Sequence, residues 1–258
     1  MSSLKKLQPI GQFILSISLF ILIWEILVLF SDLPVFLLPP PRHVGLALIE
    51  MFTDGTLFVH VFVSMRRFVI AYFISCSVGI ILGIFFGWFK RAWSFFEPVV
   101  LLLKPISPVA WTPFVMLWFG IGEAPAIFTI GIAGFFVMLI TTVSAVGNIN
   151  SSYMNVAQNF GLSRFQTLFK IVLPASFPFI AQGLRTALTT SWIFLVAGEL
   201  MGVTTGLGFF INNARHILRS DLIMAGITII GVIGFILEKL LKYVESYAAK
   251  KWGLGQHD

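Results

Sequence analysis

The sequence predicts an all-α protein, a polytopic membrane bundle of about six transmembrane helices. Three observations carry this expectation. The chain is 58% hydrophobic and only 11% charged, whereas a soluble domain carries roughly 25% charged residues. It has too few polar side chains to cover a globule in water. Apolar runs of about the 20 residues a helix needs to cross hydrocarbon recur along it. No long stretch alternates with period two, which argues against a barrel.

Six candidate spans follow: 12–30, 68–88, 98–119, 124–146, 177–203 and 222–243. The first is preceded by Lys5 and Lys6, as in a signal peptide. Its run from Gln12 to Phe30 exceeds a usual h-region, and "SDLPVF" offers no small-x-small cleavage site. Residues 1–36 are therefore expected to be a retained transmembrane anchor. Pro39 to Pro41 impose extended backbone, and 43–52 fits a short interfacial helix. In the second span Gly79, Gly83 and Gly87 form a small-xxx-small ladder for close helix packing. Pro105, Pro108 and Pro113 interrupt the backbone ladder of the third, which is tolerable only beside protein or water. The sixth span requires Lys239 and Lys242 to snorkel.

Charge orients the bundle. With the amino terminus inside, ten lysines and arginines fall in inside segments. Five fall outside: Arg42, Arg66, Arg67, Arg215 and Arg219. The positive-inside rule then places both termini and residues 147–176 in the cytoplasm. The net charge of +6 points to anionic lipid headgroups. No basic soluble face for nucleic acid is visible.

Residues 155–178, "NVAQNFGLSRFQTLFKIVLPASFP", are unusually polar for this chain. Phe165, Leu168, Phe169 and Val172 recur at i, i+3, i+4 and i+7, one helical face. Val156 and Phe160 make a second apolar pair. Gly161 between them permits a φ > 0 turn. Pro174 and Pro178 are expected to stop a straight helix from running into the fifth span. The pattern suits two short helices at an angle. Their apolar side chains fit either a groove in a partner or the membrane interface.

Two stripes run along the spans. Arg185, Thr189, Trp192, Val196 and Glu199 share one face of the fifth. Lys104, Pro108, Trp111, Val115 and Trp118 repeat the spacing on the third. A charge at bilayer depth is costly unless it faces a cavity or a partner, so these faces are candidates for the interior or a dimer interface. Trp111 and Trp192 can wall a small solute. Trp88 and Trp118 suit interfacial anchors. Lys104 and Arg185 can instead snorkel, or pair with Glu97. Glu199, near the outer end, suits an external gate, anion repulsion or contact with a binding protein. Two cations on a shared interior would favour an anionic cargo.

Other chemistry finds little support. The single cysteine, Cys76, sits in an apolar run as a packed thiol, and the four histidines lack ligand spacing for a metal. Ser191 and Thr190 have no histidine nearby to serve as a base. A stand-alone carrier would be expected to show internal repeats, and a channel would need a filter or charged rings.

The spacing Ala157, Gly161, Ile171, Leu173, Pro174 resembles the "EAA" loop of ABC-importer permeases, E-A-A, three residues, Gly, nine residues, I-x-L-P. Asn155 stands where that family has Glu, and Val156 where it has Ala. "LPPPRHV", "KPISPVAWTPFVMLWFGIGEAPAIF", "GLRTALTTSWIFLVAGELMG" and "TTGLGFFINNAR" extend the resemblance over roughly 37–235, to the branch that imports taurine, alkanesulfonates or nitrate. The resemblance implies a type I importer permease domain over 37–258, with 151–174 as the loop that couples to an ATPase. It further implies two copies of this chain, two ATPase subunits holding ATP and Mg, and a periplasmic or lipid-anchored binding protein, all at a bacterial inner membrane. The chain has no G-x-x-x-x-G-K-[ST] phosphate loop, so neither cofactor is expected in it. "TGLG" at 205–208 is expected to be a turn or gate at the outer end of span five.

Overall fold

The structure, a computed structural model, describes residues 2–31, 33–200 and 202–251, with the side chains of 2–10, 151, 156 and 247–251 outside the description. The side chain of Val156, the expected apolar partner of Phe160, and the inside charges of Lys5, Lys6, Lys250 and Lys251 therefore lie outside the description. The described residues form helices and connecting turns, with no strand.

In chain order these are α1 (Ser2–Phe30), α2 (Pro41–Thr53), α3 (Thr56–Trp88), α4 (Lys90–Leu103), a 3₁₀ turn (Pro108–Trp111), α5 (Thr112–Phe119), α6 (Glu123–Gly147), α7 (Ser151–Asn159), α8 (Arg164–Thr167), a π turn (Leu168–Val172), α9 (Leu173–Glu199), α10 (Leu207–His216) and α11 (Ser220–Lys251). Five helical stretches are long and apolar enough to cross a membrane: Gly11–Phe30, Thr56–Trp88, Glu123–Gly147, Arg164–Glu199 and Ser220–Ser246. A sixth crossing would be the pair Lys90–Leu103 and Pro108–Phe119, bent by 88°.

That bend corrects the third span. The stripe Lys104 to Trp118 needs one continuous helix, and the helix stops at Leu103. Ser107 precedes Pro108 and is pushed out of the helical region, to ψ 132°. Lys104 and Trp111 thus belong to different segments. The second span is also longer than expected: α3 starts at Thr56, so Arg66 and Arg67 are helical and not loop residues. Asp54 opens this helix, its carboxylate accepting from the Thr56 N–H and hydroxyl, and those bonds hold its carboxyl below its ordinary range.

The chain divides into two compact units. In the unit formed by 1–60 and 210–230, α2 buries Val44, Ala47 and Met51. Arg219 forks onto Asp221 at 2.7 and 2.9 Å and reaches Glu50 at 2.8 Å, tying the turn before α11 to α2.

In the unit formed by 61–209 and 231–258, α3, α6 and α9 pack through small residues. A Cβ on Gly79 would lie 2.8 Å from Met138, on Gly83 2.4 Å from Thr142, and on Gly87 2.7 Å from Val146. The glycine ladder is the face on which α3 meets α6, as its spacing suggested. Gly134 and Gly183 likewise admit Ser191 and Thr141 at the contact of α6 with α9. Gly83→Val is expected to cost about 1–3 kcal/mol through overpacking, read as a lowered unfolding temperature in detergent.

One more expectation is corrected. Pro174 and Pro178 do not separate the segment before them from the fifth span: Arg164–Glu199 is helical throughout. In the π turn the Leu173 N–H bonds back five residues, to the Leu168 carbonyl. This single wide turn accommodates the proline that follows it.

Candidate functional site

Three features of the second unit bear on function. The first is a buried ion pair. Glu199 ends α9 and is 1% exposed; Arg67, on α3, is 2% exposed. Their Nη1–Oε1 distance is 2.9 Å. The Glu199 carboxylate also accepts from the Ser64 hydroxyl at 2.8 Å and from the Gly208 N–H at 2.9 Å. Ser64 in turn accepts from the Leu207 N–H at 2.8 Å. Arg67 donates to the Thr205 carbonyl at 2.6 Å, and its other amino group lies 3.3 Å from Glu123 and from the Thr205 hydroxyl. Arg66 pairs with Glu123 as well.

Two charges leave water here at a cost of several kcal/mol each, recovered only because nearly every lone pair and N–H is matched. The network clasps the turn 202–208. Gly206 adopts φ +118°, and a Cβ there would lie 2.4 Å from the Glu199 carboxylate and 2.7 Å from Arg67. The "TGLG" stretch is therefore a turn that leads into α10 and closes over the ion pair. Glu199 does not line an open face of this unit. Sequence reasoning missed Ser64 and Arg67, whose i, i+3 spacing on one helix face was the available signal.

The second feature lies midway along α9. Arg185 is about 18 Å along the axis from Leu173 and about 21 Å from Glu199, at 1.5 Å per residue. It pairs with Glu238 on α11 at 3.1 Å, and both side chains remain partly exposed. Gln182, Thr186 and Thr189 are exposed on the same side. The Thr189 hydroxyl bonds its own helix at the Arg185 carbonyl. Trp192 is buried, edge-on to Phe68 at 5.1 Å, and its indole closes on Gly234. Lys104 is exposed beyond the end of α4, away from this group in sequence and element. At the break of the third crossing, the Trp111 indole N–H and the Thr112 hydroxyl are buried without a hydrogen-bond partner among the described residues.

The third feature is the segment 151–174. Helix α7 ends in a Schellman turn: Gly161, at φ +64°, sits at the left-handed position. The Leu162 N–H bonds the Ala157 carbonyl at 3.0 Å, and the Gly161 N–H bonds Gln158 at 2.9 Å. Ser163 and Gln166 then form a reciprocal capping box that starts α8. Leu168 and Val172 are buried with Val146, packed by Ile84, Trp88, Met154 and Leu173.

The apolar stripe is split. At about 100° per residue, Leu168 and Val172 lie on one side of it and Phe165 and Phe169 on the other. The first pair anchors the segment to the ends of α3 and α6. The second pair stands out at 72% and 63% exposure, with Phe160 at 78%. Asn155 is exposed, Ala157 buried, and Ile171 and Pro174 half-buried. Leu168→Ala is expected to cost about 2–5 kcal/mol by cavity formation, measurable as loss of resistance of the segment to proteolysis.

Helices long and apolar enough to cross a membrane, with a charged pair held midway along α9, fit a transmembrane transport component. The chain belongs to the family described as binding-protein-dependent transport system inner membrane component, whose model matches residues 78–247. It is 35% identical to the taurine transport system permease protein of Escherichia coli K12 over 227 residues, covering 86% of this chain and 82% of that one. It is 32% identical to the nitrate import permease protein of Leptolyngbya laminosa, covering 75% and 70%. Its fold matches an inward-facing crystal form of the MetNI methionine ABC transporter with a TM-score of 0.63, over 77% of this chain and 98% of that chain at 16% identity. The chain is thus an ABC transporter permease component, a multi-pass helical membrane protein that is not itself catalytic.

Proposed function

We propose that this chain forms the translocation path of an ATP-driven importer for a small anionic solute of the sulfonate, taurine or nitrate class. The carrying observation is the exposed triad Phe160, Phe165 and Phe169 on a segment whose other face is packed into the bundle. Three bare aromatics on a rigid mount suit a groove in a partner. That partner is an ATPase subunit, present in two copies, which holds ATP and Mg and hydrolyses the nucleotide. The segment 147–176 couples its closure to the bundle, with Asn155, Ala157, Gly161, Phe165, Ile171, Leu173 and Pro174 shaping the contact. A second copy of this chain completes the path. A periplasmic or lipid-anchored binding protein delivers the solute. The membrane is the bacterial cytoplasmic one, with both termini inside.

The solute class rests on the names of the relatives and on the mid-depth group. A half-exposed ion pair, Arg185–Glu238, halfway along a span is costly against lipid. That cost favours a face turned to an aqueous path or to the second copy. Trp111, whose N–H has no partner among the described residues, Lys104, Thr189 and Trp192 are the other candidates for the path, and Glu199 holds its outer turn. Arg185→Ala is expected to abolish uptake while the assembly still purifies intact; normal uptake by that variant would remove Arg185 from the path.

The test is reconstitution in liposomes with the ATPase and binding protein, using labelled taurine and nitrate. Uptake that requires ATP, Mg and the ATPase supports the proposal. Uptake by this chain alone, driven by an ion gradient, would replace it with a stand-alone carrier.

A further inference from the structure

We infer that a basic groove beside the coupling segment binds a phosphate-bearing anion, supplied by a lipid headgroup or by free phosphate. The groove has a volume of about 730 Å³. Its floor is made by Gly87 and Trp88 at the end of α3 and by Val146 and Gly147 at the end of α6. These are the points where two apolar crossings stop, so the floor lies at the level of the headgroups. Lys90 and Arg91, which open α4, and Arg164, which opens α8, line it from two sides. No carboxylate lines it, and none of the three cations has an ion pair among the described residues.

Three like charges around one cleft repel one another unless a counter-charge joins them. The cations of the mid-depth group, the outer clasp and the turn before α11 are paired with carboxylates; these three, like the exposed Lys104 and Lys170, have no ion pair among the described residues, but only these three gather around one groove. Arginine and lysine at a membrane surface attract phosphate groups, and the Gln158 amide adds a neutral polar group to the wall. The exposed Phe160, Phe165 and Phe169 do not line this groove. Of the residues assigned above to the ATPase contact, Ala157 alone lines it, and that side chain is buried. An anion held here would bridge Arg164 on the coupling segment to Lys90 and Arg91 on the α3–α4 junction, fixing the segment against the bundle.

The full-length chain in detergent is titrated with phosphatidylglycerol, or with phosphatidylcholine as the zwitterionic control, and bound lipid is read by native mass spectrometry. The wild type is expected to retain phosphatidylglycerol preferentially. In Lys90→Gln/Arg91→Gln/Arg164→Gln its affinity should fall on the order of a hundredfold, at about a fivefold factor per basic group near an anionic surface. Phosphatidylcholine retention should not change, and Lys90→Arg should behave as wild type. Inorganic phosphate at millimolar concentration separates the sources: displacement of the retained lipid identifies a site that free phosphate also fills, and resistance to it identifies a headgroup site. Equal retention of phosphatidylglycerol by the wild type and the triple variant overturns the inference. So does unchanged lipid retention with lost ATPase binding in that variant, which would make the groove a protein contact.

Discussion

Arg67→Met is expected to destabilise the protein by about 3–5 kcal/mol, because it leaves the Glu199 carboxylate buried without its counter-charge. Glu199→Leu should cost a similar amount, stranding a guanidinium that is 2% exposed with only the Thr205 oxygens and a 3.3 Å contact to Glu123. The double variant Arg67→Met/Glu199→Leu should recover most of the loss, since replacing both charges by apolar side chains of similar volume removes the desolvation penalty along with the attraction. A double-mutant cycle on unfolding in detergent reads all three. Singles that each cost less than about 1 kcal/mol would mean the pair is wetter than its burial implies.

The cycle also separates stability from transport. Ser64, Arg67 and Glu199 together hold the Leu207 and Gly208 N–H groups and the Thr205 carbonyl, fixing the turn that closes over α9. If a stable double variant transports normally, the clasp serves folding alone. If it is stable and inactive, the placement of the 202–208 turn is part of the transport cycle. Gly206→Ala gives a third view: its φ of +118° and the 2.4 Å approach of Glu199 leave no room for a methyl group without breaking the same pair.

How far the sequence revealed these features depends on how local each one is. The glycine ladder Gly79–Gly83–Gly87 was legible because its signal is periodic within one helix. The Gly161 turn was legible because a left-handed position selects glycine within a few residues. The break of the third crossing was partly legible from Pro105 and Pro108, but the 88° bend that separates Lys104 from Trp111 follows from how those prolines add up in space.

The ion pairs were not legible. Arg67 and Glu199 are separated by 132 residues and Arg185 and Glu238 by 53, so each residue alone looks like a stray charge. The hydropathy rule read Arg66 and Arg67 as the end of a span, although Arg67 is neutralised inside α3 and the helix continues to Thr56. The positive-inside count placed both among loop residues for the same reason. The continuity of Arg164–Glu199 through Pro174 escaped as well, because proline is ordinarily a stop signal and one π turn suspends the rule.

The second large effect concerns coupling. Phe160→Ser/Phe165→Ser is expected to leave the stability of the isolated chain nearly unchanged, since both rings are more than two-thirds exposed and lie outside the cluster of Leu168, Val172 and Val146. The same change should remove two aromatic anchors from the proposed ATPase contact. Each such truncation costs about 2 kcal/mol or more at the centre of an interface, roughly a thirtyfold loss of affinity. The variant should purify normally, fail to retain the ATPase, and show no ATP-dependent uptake. Leu168→Ala provides the contrast, because it should loosen the segment first and weaken the ATPase contact only as a consequence. If the serine variant retains the ATPase with wild-type affinity, these phenylalanines face the lipid surface instead. The same variant would then lose quenching of a probe on the segment by brominated lipid. Asn155→Glu adds a carboxylate at an exposed position of α7. A gain in ATPase affinity that disappears at high salt would assign that position to an ion pair across the contact.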